Sequence, residues 1–101
     1  MNQDTSSQRQ MRYGELIRSL ISECLIKTDF YEQNSNFSEV TVSFVKMSKD
    51  LKIANVYIMP LGGKDQQELI EGINKNKYIF QKYLSKAKIK SKYTPKINFY
   101  I

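Results

Sequence analysis

Four lysines, Lys86, Lys88, Lys90 and Lys92, stand at alternate positions near the end of this 101-residue chain, and Lys75 and Lys77 flank Asn76 a little earlier, with Lys82 between the two groups. An ammonium group is a compact point charge suited to phosphate, and alternation in an extended segment sets every second side chain on one side. Residues 72–101 hold eight lysines and no acid, whereas residues 1–71 hold eight Lys/Arg against ten Asp/Glu, so the net charge of +6 resides in the last third. A surface that dense attracts polyanions and is the electrostatic footprint of a nucleic-acid binder. The plainer alternative is a solvated lysine face kept for solubility. The candidate nucleic-acid contacts are Lys75, Asn76, Lys77, Lys82, Lys86, Lys88, Lys90 and Lys92, with Arg9 and Arg12 near the start as a second basic group. Tyr78, Tyr83 and Tyr93 lie among the lysines, where a phenol ring can stack on an unpaired base or fill the core.

Other chemistry is poorly supplied. The chain has no histidine and one cysteine, Cys24, so an internal disulfide cannot form and neither a metal site nor a His- or Cys-based catalytic pair is expected. Asp50 is the one carboxylate within a motif, and a turn explains it. Leu61-Gly-Gly-Lys64 lacks the GxxxxGK[ST] pattern of a phosphate loop and is followed by Asp65, so it reads as a strand exit. No cofactor, small-molecule substrate or enzyme activity is expected. No run approaches the roughly 18 to 20 apolar residues of a membrane span, and the polar start MNQDTSSQRQ has no hydrophobic signal core, which predicts a cytoplasmic protein without membrane contact. Length and 41% hydrophobic content predict one domain over residues 9–101 behind a flexible start at residues 1–8, and a monomer.

Elements must position those lysines. Ser7-Gln-Arg-Gln10 reads as a capping box, and Tyr13, Leu16, Ile17, Leu20, Ile21, Cys24 and Leu25 follow at helical spacing, predicting an amphipathic first helix. Residues 28–38 lose that periodicity and read as a loop. In EVTVSFVKM, Val40, Val42 and Phe44 alternate with Thr41, Ser43 and Val45; in IANVYIMP, Ala54, Val56 and Ile58 alternate with Ile53, Asn55, Tyr57 and Met59. The two runs predict a hairpin whose loop of about four or five residues uses Asp50 to accept from local amides. Asp65-Gln-Gln-Glu68 offers a second capping box, before a helix with Leu69, Ile73, Phe80, Leu84 and Ala87 on one face and Ile70, Ile79 and Tyr83 beside it. Asn76 occupies a slot that should be apolar, and Gly72 lowers helix propensity by about 1 kcal/mol relative to Ala, so a kink is expected near residues 74–78. Beyond Ala87 the alternation predicts extended chain that joins the hairpin as a third strand, with Pro95 at a bulge or edge before Lys96–Ile101 resumes as strand.

The run V-T-V-S-F-V-K-M-S-K-D-L-K-I-A-N-V-Y-I-M-P-L-G at residues 40–62 resembles the hairpin of the bacterial ribosome-binding factor A family. R-Y-G-E-L-I-R-S-L-I at 12–21 is similar to that family's first helix, and Y-T-P-K-I-N-F at 93–99 to its last strand. The resemblance covers most of residues 9–101. It implies an α+β fold, a single type II KH-like domain of order α-β-β-α(kinked)-β with helices on one face of a three-stranded sheet. It also implies a non-enzymatic assembly factor that binds the free 30S subunit and 16S rRNA during late maturation and matters most in the cold, with the kinked helix pair and the basic surface meeting rRNA. Residues alone leave another reading open, a basic module that binds a different RNA or an acidic protein. Two features depart from the family: Asn76-Lys77-Tyr78 stands where members interrupt the helix with Ala-x-Gly, and the sequence stops at Ile101 where members commonly continue, so a shortened chain is expected.

The placement of Cys24 within the first helical stripe has a direct consequence. A thiol reagent should label the native protein slowly and the denatured protein rapidly; fast labelling of the folded chain would contradict the stripe.

Overall fold

The computed structural model describes residues 7–27, 40–60, 66–87 and 94–101. Along the chain run α1 (Gln8–Lys27), β1 (Val40–Met47), β2 (Ile53–Pro60), α2 (Gln66–Lys75), α3 (Lys77–Lys86) and β3 (Lys96–Tyr100). The sheet order is β1-β2-β3, antiparallel between β1 and β2 and parallel between β2 and β3. This is the expected α+β order with the second helix divided in two. The expectations for residues 28–38, for Leu61-Gly-Gly-Lys64, for the Asp65 capping box and for the first eight residues up to Ser6 lie outside the described residues.

The capping box forms as its sequence requires: the Gln10 amide donates to Ser7 Oγ at 3.1 Å, and the Ser7 amide donates to Gln10 Oε1 at 2.7 Å. Gln10 does a second job that the motif does not announce. Its Nε2 donates to the Met47 carbonyl at 3.0 Å, tying the start of α1 to the end of β1. One turn on, α1 comes so close to β1 that a Cβ on Gly14 would sit 2.6 Å from the Val45 carbonyl oxygen. The buried line of α1 is Gln10, Gly14, Ile17, Ile21 and Cys24. Leu16, expected in the stripe, is instead 42% exposed. The close seat of Gly14 centres the helix on a narrower line and swings Leu16 outward.

In β1 the expected alternation holds only as far as Val42. The register shifts between Val42 and Phe44, and the extra residue turns Phe44 to the outer face while Val45 and Met47 point inward. β2 alternates as expected, burying Ala54, Val56 and Ile58. The loop between them is the five residues 48–52. Asp50 accepts from the Ser48 hydroxyl at 2.7 Å and the Lys52 amide at 3.1 Å, which hold its carboxyl below the usual range in that order of weight. Ser48 Oγ in turn accepts from the Ile53 amide at 3.0 Å. Leu51 adopts φ 61°, a left-handed conformation costly for a branched side chain, and that side chain is buried in the core.

The third strand differs from expectation at its start. Lys86 is the last residue of α3, not the first of an extended run, and pairing with β2 begins at Lys96, just after buried Pro95. The Lys96 amide donates to the Lys52 carbonyl at 2.8 Å, fixing where β3 enters. Helices cover the sheet face formed by Val40, Val42, Val45, Met47, Ala54, Val56, Ile58, Ile97 and Phe99, and Ile73, Phe80 and Leu84 complete the core with the α1 line. Phe80 and Phe99 meet edge to face with centroids 5.0 Å apart.

Gly14→Ala tests the seat of α1. Alanine is the better helix former by about 1 kcal/mol, but its Cβ would meet a backbone oxygen that cannot rotate away, and overpacking costs about 1–3 kcal/mol. The variant should therefore lose stability by about 1 kcal/mol net, with a fall in Tm of about 4–8 °C for a domain of this size. A variant as stable as the parent in thermal unfolding would show that α1 does not lie this close to β1.

Candidate nucleic-acid interface

The lysine-bearing helices are set by two asparagines. Asn76 is the single residue between α2 and α3, with φ −104° and ψ 14°. Its amide is shared between the Gly72 and Ile73 carbonyls, each at 3.2 Å, while its side-chain Nδ2 donates to Gly72 at 2.9 Å. A side chain that takes a main-chain carbonyl in this way breaks the regular ladder, and the break satisfies its own polar groups although Asn76 is buried. The expected kink is present.

Asn74 was not singled out by the sequence, yet it holds the kink against the sheet. Its Nδ2 donates to the Phe99 carbonyl at 3.2 Å and its Oδ1 accepts from the Phe99 amide at 3.1 Å. A carboxamide presents one donor and one acceptor side by side, so it pairs with an edge-strand residue as a neighbouring strand would. The end of α2 is thereby fixed to the outer edge of β3.

From this corner α3 displays its charge. Lys82 and Lys86 are exposed one turn apart, and Tyr78 lies one further turn back with 58% of its surface exposed. Lys75 is exposed at the end of α2, and Lys77 is half-buried at the start of α3. Tyr83 points the other way, toward α1. There it hydrogen-bonds Glu23, whose carboxyl is held below the usual range by the Lys27 ammonium first and the Tyr83 hydroxyl second. Burial, then the Glu23 bond, pushes the Tyr83 phenol up. Because the Glu23 value falls on folding, its contribution is present above the ordinary glutamate range and fades as pH drops through the lowered value. Tyr83 thus anchors α3, leaving Tyr78 as the ring available beside the lysines. Arg9 and Arg12 are exposed at the far end of α1, about 20 Å along its axis from Glu23, and form a separate basic pair. Lys88, Lys90, Lys92 and Tyr93 lie outside the described residues.

The order of elements and the hairpin agree with what known proteins share. A family model described as Ribosome-binding factor A matches residues 9–101. The chain belongs to the ribosome-binding factor A family. A protein of that name from Pelagibacter ubique is 44% identical over 93 residues, covering 92% of this chain and 75% of the relative. Another from Ruegeria pomeroyi is 40% identical over 93 residues, covering 92% and 70%. A solution structure of a Thermotoga maritima protein described as a ribosome binding factor A aligns with a TM-score of 0.72 at 27% identity, over 96% of this chain and 91% of that one. The crystal structure of ribosome-binding factor A from Thermus thermophilus shares the fold, with a TM-score of 0.73 at 13% identity over 90% and 93%.

Within the ribosome-binding factor A fold, the break here is thus made by a buried asparagine that bonds the preceding turn. Replacing the edge clamp is the sharper test of how that corner is held. In Asn74→Ala the Phe99 amide loses its partner, so its hydrogen exchange should accelerate at least ten-fold and stability should fall by about 1–2 kcal/mol. Unchanged protection at Phe99 would show that the clamp contributes nothing in solution.

Proposed function

We propose that this protein is a non-enzymatic assembly factor that binds the free 30S subunit through 16S rRNA during late small-subunit maturation, acting in the cytoplasm as a monomer and mattering most in the cold. The observation that carries the reading is the outward stripe of Lys75, Tyr78, Lys82 and Lys86 on the broken helix pair, in a chain of this family whose last third has no acid. Lysines neutralise phosphates without reading sequence, and Tyr78 adds a surface on which an unpaired base can stack. Lys77, Lys88, Lys90 and Lys92 extend the contact from the same part of the chain, whereas Asn76, expected among the contacts, is buried with its amide on the Gly72 carbonyl and shapes the break instead. Arg9 and Arg12 supply a second, separate contact. The names of the relatives support a ribosomal partner, and the one exposed ring, Tyr78, among three exposed lysines favours RNA over an acidic protein because an unpaired base can stack on it.

Sedimentation separates the possibilities: the protein should co-sediment with free 30S subunits and not with 70S ribosomes, and naked 16S rRNA should compete. Replacing Lys75, Lys82 and Lys86 together by Gln should preserve circular dichroism, weaken binding, and make the slope of log affinity against log salt shallower by roughly one per lost phosphate contact. A folded triple variant with unchanged affinity and slope would move the contact to Arg9, Arg12 or the lysines beyond Ala87.

A further inference from the structure

The face of the sheet turned away from the helices carries a row of aromatic rings that the helix-side reading leaves unused. Phe44, Tyr57 and Tyr100 are register partners across all three strands, with centroids 6.2 Å apart between Phe44 and Tyr57 and 5.5 Å apart between Tyr57 and Tyr100. The outer two are more than 40% exposed and the central one is half-buried. The neighbouring row, two residues along each strand and so about 7 Å away, is Lys46, Asn55 and Asn98. Exposed Lys96 stands at the end of the same face, beside Ile53. None of the three strands contains an Asp or Glu.

We propose that this open sheet face is a second RNA-binding surface, which takes two or three unpaired nucleotides of a single strand. Each base would stack on one ring; the Asn55 and Asn98 amides, which both donate and accept, would meet base edges; and Lys46 and Lys96 would hold flanking phosphates. The ring spacing selects the state of the nucleic acid. Bases stacked in a duplex strand lie about 3.4 Å apart, so successive bases can occupy rings 5.5 and 6.2 Å apart only when unstacked from one another. Two features favour RNA over a protein partner: the positive charge without any acid on the strands, and a row of carboxamides beside the rings. Cross-strand packing of the rings also stabilises the sheet, but that role alone needs neither the exposed ring surface nor the flanking lysines. The proposal uses the RNA partner of the preceding reading but none of its residues, so the two can fail separately.

The test is titration of the full chain with a single-stranded RNA hexamer of mixed sequence and with a duplex of the same sequence, followed by NMR of ring and backbone signals. The hexamer should shift Phe44, Tyr57, Asn55, Asn98 and Tyr100, and the duplex should not. Phe44→Thr with Tyr100→Thr, both exposed and both to a good strand former, should reduce hexamer affinity ten-fold or more with the circular dichroism intact. The Lys75, Lys82 and Lys86 to Gln variant should retain the shifts on the sheet. Three results would overturn the proposal: no binding of the hexamer by the folded protein; shifts confined to α2 and α3 with the Thr pair binding as the parent does; or burial of the rings by self-association or by a ribosomal protein that RNA does not displace. Loss of sheet shifts alone would leave the 30S sedimentation result untouched.

Discussion

The division of residues 66–86 into α2 and α3 at Asn76 is the constraint on which the helix side of the molecule depends. It lets Leu69 and Ile73 on one side, and Phe80 and Leu84 on the other, reach the same core. An interruption in a buried place normally strands main-chain groups, but here the asparagine amide and side chain both go to the preceding turn. Asn74 then fixes the corner to β3, so the directions in which Lys75, Tyr78, Lys82 and Lys86 point follow from two carboxamides that contribute no charge themselves.

The opposite end of the sheet depends on contact rather than interruption. Gln10 closes the capping box and also reaches the Met47 carbonyl, and Gly14 brings α1 against Val45. Both contacts fall on the part of β1 after the bulge, where Val45 and Met47 have exchanged sides relative to a regular strand. The same irregularity that seats α1 therefore places Phe44 on the outer face beside Tyr57. Helix packing on one side and the aromatic row on the other share a single cause.

With the described helices on one face of the sheet, the molecule presents two different surfaces. The helix side offers mobile point charges on long stems, suited to phosphates whatever the sequence. The sheet side offers flat rings and amides held by a pleated backbone, suited to bases that have left a duplex. Division of labour of that kind suits a surface of folded RNA in which helices and single strands adjoin.

The amino-acid sequence by itself determined the elements and their order. The α1 stripe, the Ser7–Gln10 box, the Ser48–Asp50 turn and the misfit of Asn76 are local patterns, and each acts through residues at most a turn or a few positions apart. The departures at Phe44 and Leu16 and the unforeseen contact of Asn74 share one physical reason: they depend on partners distant in the chain. Phe44 points out because one extra residue in β1 is accommodated against β2, which alternation within β1 cannot reveal. Leu16 is exposed because Gly14 meets a carbonyl more than thirty residues away in sequence. Asn74 became visible only when β3 came to lie beside α2, since an amide that mimics a strand looks like any polar residue on a helix until that edge arrives.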